Sequence, residues 1–313
     1  AFVEYTAAVA ARLGDRVKFW TTHNEPWCIA HLGHETGEHA PGHTNAAESL
    51  RVAHHVLLSH GWATAELRRL VPGAEVGIAL NLTPAWPASP SEADRDAARN
   101  FDGFFNRWYL DPIFRGRYPE DAIADRIRQG HLSAPELPFV LAGDMATIST
   151  PIDFLGLNYY TRAVVRGGEH GERAAVEMGT AEERTAMGWE IFPQGLTDLL
   201  VRLQREYRPA KIYVTENGAA FADQVDATGR VEDPRRTAYL RSHLVAAQRA
   251  ISEGAALRGY FAWSLLDNFE WAQGYTKRFG LYRVDYATQQ RLPKDSAQWY
   301  RQVVAANAVA GGE

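Results

Sequence analysis

Two glutamates follow short apolar runs, and their surroundings suggest chemistry by paired carboxylates. Glu25 lies in the stretch TTHNEPW, residues 21–27, directly after an apolar, β-branched run, and Glu216 closes a similar run before Asn217 and Gly218. Two carboxylates on either side of a sugar linkage are the usual apparatus of glycoside hydrolysis. A separation of about 5–5.5 Å gives retention of configuration, and a wider one gives inversion. Taken singly, each glutamate is also compatible with an ordinary loop position beside a proline or a glycine.

Aromatic residues surround a third glutamate further along the chain. The stretch WSLLDNFEW, residues 263–271, brings Trp263, Phe269 and Trp271 close to Glu270 in the sequence. Pyranose rings have apolar C–H faces that pack on an indole, and their hydroxyl groups bind carboxylates and amides. This mixture of residues is therefore typical of a sugar pocket. Each tryptophan taken alone is also compatible with a place in the hydrophobic core.

Five short apolar segments predict buried strands, and helical patterns separate them. The strand segments are residues 17–22, 75–82, 153–159, 211–215 and 257–264. The helical segments are residues 46–70, 91–109 with Ser91 as N-cap, 196–207, 233–253 and 295–306. Strands that alternate with helices predict an α/β fold with a parallel sheet.

Polar or aromatic groups stand at the end of every predicted strand. They are Asn24 with Glu25, Asn81, Asn158 with the two following tyrosines, Glu216 with Asn217, and Trp263 with Ser264. A (β/α)8 barrel builds its active site at the C-terminal ends of its strands, whereas a doubly wound sheet binds ligands mainly near one switch point. Because all five strands contribute, the pattern favours a (β/α)8 TIM barrel, with five strands counted. We interpret residues 1–313 as one catalytic domain and 162–187 as a long surface loop.

The composition excludes several other classes of function. The 313 residues carry a formal net charge of −5, so neither nucleic acid nor an anionic membrane is an expected partner. The sequence contains no apolar run of about 18 residues, so no membrane span is predicted. The single cysteine, Cys28, fits a reducing compartment and predicts a cytoplasmic location. The chain begins AFVEYTAAVAARLG, without a methionine or a helix-capping residue, and we interpret it as a fragment.

Four motifs resemble the family 1 glycoside hydrolases, the β-glucosidases and their relatives. The motifs are T-x-N-E-P at 22–26, FLGLNYY at 154–160, YVTENG at 213–218 and WSLLDNFEW at 263–271. They occur in the family's order, and four motifs in register are highly specific. The resemblance implies a (β/α)8 barrel that hydrolyses terminal β-D-glucosyl residues with retention, without a cofactor or a metal. The implied ligands are β-glucosides or short β-linked oligosaccharides.

The resemblance also implies roles for individual residues. Glu25 would be the general acid/base and Glu216 the nucleophile, while Asn24 would bind the sugar's 2-hydroxyl and Tyr160 would hold and polarise Glu216. The residues implied to form the sugar and aglycone pockets are Trp263 beneath the sugar, Glu270 and Trp271 at its outer hydroxyls, Trp189, Phe279 and Asn158. Asn158 and Asn81 are also compatible with a role that only braces the site.

The motifs match only part of the family's barrel. The chain supplies the equivalent of the fourth to eighth βα units, so the three N-terminal units and their sugar-binding glutamine, histidine and arginine are expected to be missing. Such a chain would have an open barrel with two exposed sheet edges. We therefore expect it to be poorly active or unstable alone, unless a homo-oligomer or a complementing N-terminal segment completes it. The alternative function is a catalytically impaired sugar-binding or assembly fragment of such an enzyme.

Two further patterns bear on the ligands. Glu270 and Trp271 stand where family members that cleave phosphorylated sugars carry other residues, which argues for an unphosphorylated sugar but does not choose among glucose, galactose and fucose. The run HLGHETGEHAPGH is rich in histidine, but its spacing matches no standard metal site. We predict a polar loop there and no metal; the four histidines are His31, His34, His39 and His43.

Overall fold

Strands and helices alternate along the chain. The structure is a computed structural model that describes residues 1–168, 175–180 and 182–309. The strands are β1 (Phe19–Asn24), β2 (Glu75–Asn81), β3 (Ala85–Pro87), β4 (Phe154–Asn158), β5 (Ala163–Arg166), β6 (Ala175–Glu177), β7 (Ile212–Asn217), β8 (Leu257–Ala262), β9 (Tyr282–Val284) and β10 (Arg291–Pro293). The helices are α1 (Phe2–Leu13), α2 (Ala46–Leu70), α3 (Glu92–Asp102), α4 (Trp108–Arg115), α5 (Glu120–Arg128), α6 (Asp144–Ile148), α7 (Pro193–Glu206), α8 (Pro234–Ser252) and α9 (Asp295–Ala306).

A five-stranded parallel sheet forms the centre of the fold, in the order β1-β2-β4-β7-β8. All five strands lie within two residues of the predicted segments. The inner strands β2 and β4 are almost wholly buried, whereas Phe19 on β1 is 57% exposed and Phe261 on β8 is 58% exposed. Among the described residues, neither β1 nor β8 pairs with a strand on its outer side. The sheet therefore has the two exposed edges that were expected.

The hydrophobic core lies between this sheet and the helices that cover it. Leu57 of α2, Leu80 of β2, Leu157 of β4, Leu200 of α7 and Val214 of β7 are all buried in one cluster. Each covering helix turns one apolar face towards the sheet, as the three- and four-residue spacing predicts. This cluster joins the central strands to the helices α2 and α7.

The segment predicted as one helix over 91–109 is divided in the structure. Ser91 caps α3 as predicted, since its hydroxyl accepts a hydrogen bond from the Asp94 N–H at 3.2 Å. A π-helical turn, Gly103–Arg107, then separates α3 from α4. Asn106 in this turn is buried and bonds both the N–H and the carbonyl oxygen of Thr83, at 3.0 and 2.8 Å. In the described part of the chain, no helix has the length and apolar character needed to cross a bilayer.

The prediction of a surface loop over 162–187 is wrong for part of that stretch. Residues Ala163–Arg166 form β5 and pair in parallel with β3, and Ala175–Glu177 form β6 antiparallel to β5. Ala163 and Val165 are fully buried against α3, so this short apolar run is a strand rather than a loop. Residues 169–174 and 181 of the predicted loop lie outside the described residues.

Candidate active site

The predicted catalytic residues lie where the ladder of the parallel sheet becomes irregular. The register between β1 and β2 shifts between Thr21 and Asn24, and the register between β4 and β7 shifts between Leu157 and Asn158. Such irregularities re-aim side chains away from the regular alternation of a strand and are common beside active sites. Polar groups from neighbouring strand ends can therefore point into the same space.

Glu25 follows β1 in a left-handed backbone conformation, with a φ of 50°. Residues other than glycine seldom adopt this conformation, and those that do cluster at functional sites. The Glu25 N–H donates to the carbonyl oxygen of Ala79 on β2 at 2.9 Å. One carboxylate oxygen accepts a hydrogen bond from Asn158 Nδ2 at 2.8 Å, and the other accepts one from Cys28 Sγ at 2.9 Å. The carboxylate of Glu25 is therefore held in a defined orientation.

Glu216 lies at the end of β7 and is half-buried. The Tyr160 hydroxyl donates to its Oε2 at 2.6 Å, and the Asn24 side chain also hydrogen-bonds to it. Burial, followed by the negative charge of Glu25, raises the pKa of Glu216 from 4.5 to about 7, while the two hydrogen bonds oppose this rise. The Glu216 carboxyl group therefore keeps its proton to a higher pH than an ordinary glutamate does.

Asn158 joins the two carboxylates into one hydrogen-bonded set. Its Nδ2 donates to Asn24 Oδ1 at 2.9 Å as well as to Glu25. Its Oδ1 accepts the hydroxyl hydrogen of Thr215 at 2.6 Å. Since Asn158 is buried and its amide is engaged at both ends, this arrangement favours the bracing role over direct contact with a sugar.

Trp263 and Glu270 form a second oriented pair. The Trp263 side chain hydrogen-bonds to the Glu270 carboxylate, and burial with the charge of Glu25 raises the pKa of Glu270 above its ordinary value. Trp271 is 66% exposed and packs beside His39, with 5.7 Å between ring centroids. Trp263 and Glu270 therefore lie deeper than Trp271, which stands at the rim.

Close packing between β7 and the segment after β8 explains the glycine that follows Asn217. A Cβ atom at Gly218 would lie 1.8 Å from the carbonyl oxygen of Trp263. The Trp263 N–H donates to the carbonyl oxygen of Asn217 at 2.9 Å, and Asn217 Nδ2 donates to that of Tyr159 at 2.7 Å. The Asn-Gly pair therefore holds the ends of three strands together around Glu216.

One cavity of about 1720 Å³ brings the predicted site residues together. Tyr160, Trp189 and Phe279 pack against one another along one wall, with ring centroids 5.3, 6.1 and 6.4 Å apart. All of the residues to which the resemblance gave a site role, together with Asn81, line this cavity: Asn24, Glu25, Asn81, Asn158, Tyr160, Trp189, Glu216, Trp263, Glu270, Trp271 and Phe279. Phe269 is not among the lining residues and is 56% exposed. Their individual catalytic roles stay predictions.

Cys28 and Thr215 support the site but were not predicted to do so. Cys28 opens the π-helical turn Cys28–Leu32 that follows Glu25. Burial raises the pKa of the Cys28 thiol well above its ordinary value, so the thiol stays protonated and can donate to Glu25. The sequence signal for Cys28 was its position three residues after the glutamate. The signal for Thr215 was its place directly before Glu216 on the strand.

The histidines of the polar loop fall in separate places. His31 Nδ1 lies 3.2 Å from Glu35, and His39 lines the catalytic cavity. His34 and His43 instead converge on Glu48 at the start of α2. Within the described part of the chain, this trio alone has histidine, cysteine or carboxylate ligand atoms grouped closely enough to hold a metal ion. The trio is not among the residues that line the catalytic cavity.

Comparison with known proteins identifies the family. The model of glycosyl hydrolase family 1 matches residues 1–309. The chain is 44% identical over 310 residues to β-glucosidase A of Acetivibrio thermocellus, covering 98% of this chain and 68% of that protein. It is 44% identical over 319 residues to a bifunctional β-D-glucosidase/β-D-fucosidase of Bifidobacterium breve, covering 96% of this chain and 67% of that one.

A solved structure agrees with the sequence matches. The family 1 β-glucosidase from Thermotoga maritima, in complex with isofagomine lactam, superposes with a TM-score of 0.91 at 43% identity. The superposition covers 98% of this chain and 68% of that one. The chain therefore spans about two thirds of the length of the proteins that it matches. The site geometry, the four motifs and these matches together show that the chain belongs to glycosyl hydrolase family 1 and is a glycoside hydrolase.

Proposed function

We propose that this chain is a retaining β-glucosidase that hydrolyses terminal, unphosphorylated β-D-glucosyl residues by double displacement. The observation that carries the proposal is that Asn158 donates hydrogen bonds to both Glu25 and Asn24, while Tyr160 donates one to Glu216, inside one cavity. The first step of such a reaction needs one protonated carboxyl group and one carboxylate, oriented towards the same sugar. Glu25 and Glu216, held by these partners inside one cavity, supply the two carboxyl groups.

In the first step Glu25 gives its proton to the glycosidic oxygen, and the bond from that oxygen to the anomeric carbon breaks. A Glu216 oxygen bonds to the anomeric carbon, which forms a glycosyl ester. The hydrogen bonds from Tyr160 and Asn24 support this division of roles, because they stabilise negative charge on Glu216 before it attacks. The assignment of Glu216 as the nucleophile and Glu25 as the proton donor follows the family resemblance of the YVTENG and T-x-N-E-P motifs, and the hydrogen bond from Tyr160 fits it because it holds and polarises Glu216.

In the second step Glu25 takes a proton from a water molecule as that water attacks the anomeric carbon. The ester bond to Glu216 breaks, the sugar leaves with its original configuration, and both carboxyl groups return to their starting states. Esterification removes the negative charge of Glu216, so Glu25 can act as a base within the same turnover. Asn158 keeps the Glu25 carboxylate in one orientation through both steps.

The sugar pocket proposed here consists of Trp263 beneath the ring, with Glu270 and Trp271 at its outer hydroxyls. The hydrogen bond from Trp263 orients the Glu270 carboxylate, which can then accept hydrogen bonds from sugar hydroxyls. Glu270 already experiences the charge of Glu25, so a phosphate on the sugar would add a third negative group to the same field. This argument, and the β-glucosidase names of the relatives, support an unphosphorylated glucoside.

We also infer that the five parallel strands correspond to the fourth to eighth strands of an eight-stranded barrel. Each of them contributes a residue to the catalytic cavity, directly or at its end, as the C-terminal ends of barrel strands do. The outer sides of β1 and β8 are the places where further strands would pair to complete the barrel. A complementing segment or a second copy of the chain would bind there.

Azide rescue tests the two carboxylate roles directly. Glu216→Ala should lose hydrolysis, and azide should restore turnover of an activated aryl β-glucoside to give an α-glycosyl azide. Glu25→Ala should give the β-glycosyl azide instead, because azide then attacks the glycosyl ester on Glu216. Products of the opposite configuration in the two variants would contradict the assignment, as would rescue of neither.

A further inference from the structure

His34, His43 and Glu48 converge at the base of the loop between β1 and α2. His34 Nδ1 lies 3.1 Å from Glu48 Oε1, and His43 Nδ1 lies 2.8 Å from the same oxygen. The two imidazole rings are nearly perpendicular, at 88°, with 5.2 Å between their centroids. The three ligand atoms all lie within 4.8 Å of one another. Two nitrogens and one carboxylate oxygen therefore lie close enough together to bind one ion.

The backbone of the loop places these side chains before any ion is bound. The His43 N–H donates to the carbonyl oxygen of Gly33 at 2.9 Å, and the Asn45 N–H donates to that of His34 at 2.7 Å. The chain thus folds back on itself and brings together two histidines, His34 and His43, that are nine residues apart in the sequence. Because this folding of the loop, and not a regular helix or strand, brings the two histidines together, their spacing in the sequence resembles no standard metal motif.

The Glu48 carboxylate does not make the hydrogen bond that a glutamate at this helix position commonly makes. It stands three residues after the N-cap Asn45, whose side chain accepts the Glu48 N–H at 3.0 Å. A glutamate there commonly bonds back to the N–H of the capping residue. In this protein that N–H is already bonded to His34, and the Glu48 carboxylate turns to the two histidines instead.

The geometry points to a divalent transition-metal site of the zinc type, formed by His34 Nδ1, His43 Nδ1 and Glu48. Two imidazoles and one carboxylate are a common ligand set for Zn²⁺, with bonds of about 2.0–2.2 Å. Ligand atoms around such a tetrahedral ion lie about 3.3 Å apart, close to the two nitrogen-to-oxygen distances in the structure. Each Nδ1 gives up its proton when the metal binds, so binding releases protons.

The exposure of the three ligands suits such an ion. The side chains of His34, His43 and Glu48 are 16%, 53% and 35% exposed. One ligand is firmly enclosed, and solvent reaches the other two, so water can occupy the fourth position. Imidazole nitrogens favour zinc and its neighbours over Mg²⁺ and Ca²⁺, which prefer oxygen ligands.

The consequence of binding would be a cross-link between the base of the loop and the first turn of α2. The tip of this loop carries His39, which packs beside Trp271 at the rim of the catalytic cavity. The metal would therefore stiffen a segment that borders the sugar pocket. It would take no part in the chemistry of Glu25 and Glu216.

Calorimetric titration with Zn²⁺ tests the site. The protein is first freed of metal with a chelator and then titrated with Zn²⁺, with Mg²⁺ as the comparison ion. We expect one Zn²⁺ per chain and no binding of Mg²⁺ to the same site. His43→Ala and Glu48→Gln should each weaken Zn²⁺ binding by about a hundredfold or more, since even changes to groups that only support a metal ligand cost 10–100-fold.

His55→Ala is the matched control, because His55 is an exposed histidine of α2 outside the trio. It should bind Zn²⁺ as the unchanged protein does. Melting temperatures in the presence of the chelator show whether each variant is folded, and Glu48→Gln decides the question if His43→Ala is unfolded. The proposal fails if no stoichiometric binding occurs, if Glu48→Gln retains full affinity, or if His55→Ala loses as much affinity as the trio variants.

Discussion

The hydroxyl of Tyr160 donates a 2.6 Å hydrogen bond to Glu216 Oε2, and the ring of the same tyrosine packs against Trp189 and Phe279. One side chain therefore connects the aromatic wall of the cavity with the proposed nucleophile. Packing against Trp189 and Phe279 positions the Tyr160 ring, and the ring in turn positions the hydroxyl that donates to Glu216. Loss of the hydroxyl alone would leave the wall intact and change only the carboxylate.

Tyr160→Phe should shift the pH dependence of catalysis. The Tyr160 hydrogen bond lowers the pKa of Glu216 against burial and the charge of Glu25. Without it, the pKa of Glu216 rises further above about 7, so the ionised nucleophile appears only at higher pH. The acid limb of the profile of kcat/KM against pH should move upwards, with activity partly recovered in alkali. Tyr300→Phe, whose hydroxyl bonds to the Tyr260 carbonyl oxygen, is the control, and an unshifted limb in Tyr160→Phe would contradict this role.

Asn158→Ala separates bracing from direct sugar binding. The substitution removes the donor to Glu25 and Asn24 while leaving both carboxylates in place. Loss of such buried hydrogen bonds costs about 1–3 kcal/mol, which predicts a fall in kcat of about ten- to a hundredfold with little change in KM. Steady-state kinetics, with melting curves as a check on folding, measure this. A raised KM with an unchanged kcat would mean that Asn158 binds the sugar instead.

Glu216→Gln should make the folded protein more stable at high pH. Because the folded-state pKa of Glu216 is raised from 4.5 to about 7, the protonated side chain favours folding below pH 4.5, and this contribution is lost as the pH rises through 7. The ionisation therefore costs the native state up to about 3 kcal/mol above pH 7. Glutamine avoids that cost.

Urea unfolding of the unchanged protein and of Glu216→Gln at pH 5 and pH 8 measures this effect. The gain in unfolding free energy should be larger at pH 8 than at pH 5. Glu206→Gln is a suitable comparison: burial raises the pKa of Glu206, but the hydrogen bonds from Arg205 and Arg202 outweigh it and lower that pKa below 4.5, so the effect of this substitution should be nearly the same at pH 5 and pH 8. Equal gains at the two pH values would show that Glu216 does not titrate as described.

Gly218→Ala should destabilise the fold and inactivate the site. The added Cβ would lie 1.8 Å from the Trp263 carbonyl oxygen, so β7 and the segment after β8 must separate. Gly130→Ala is the matched comparison, since Gly130 has a φ of 77° but open space around it. It should lose only about 1–2 kcal/mol from backbone strain. Thermal melts compare the two, and an equal or smaller loss in Gly218→Ala would contradict the close approach.

Most of the fold and the set of cavity residues followed from the sequence because strand ends in a parallel sheet lie at a common edge. Residues 17–22 and 211–215 predicted strands from apolar, β-branched composition, and the glutamates after them pointed to that edge. The alternation of apolar and polar residues predicts a strand less well when the strand is very short. Ala163–Arg166 holds too few residues for its alternation to stand out from a loop.

The hydrogen-bonded relationships within the site were less predictable, because they depend on tertiary distances. Nothing in the sequence links Thr215 to Asn158, or Cys28 to Glu25, until strand register and the π-helical turn bring them together. The same applies to His34, His43 and Glu48, whose grouping depends on the folding back of one loop. Residue types and their order predicted the chemistry, but only the structure shows which group orients which.

The stereochemistry of the first product tests the central claim most directly. Proton NMR of the reaction with an aryl β-D-glucoside, recorded before mutarotation, distinguishes the two anomers, with Glu216→Ala as the control for background hydrolysis. Double displacement by Glu216 and Glu25 predicts that β-D-glucose appears first and is later converted to the α anomer. Initial release of α-D-glucose would contradict the account, because it would mean that water attacks the substrate directly and that Glu216 is not a covalent nucleophile.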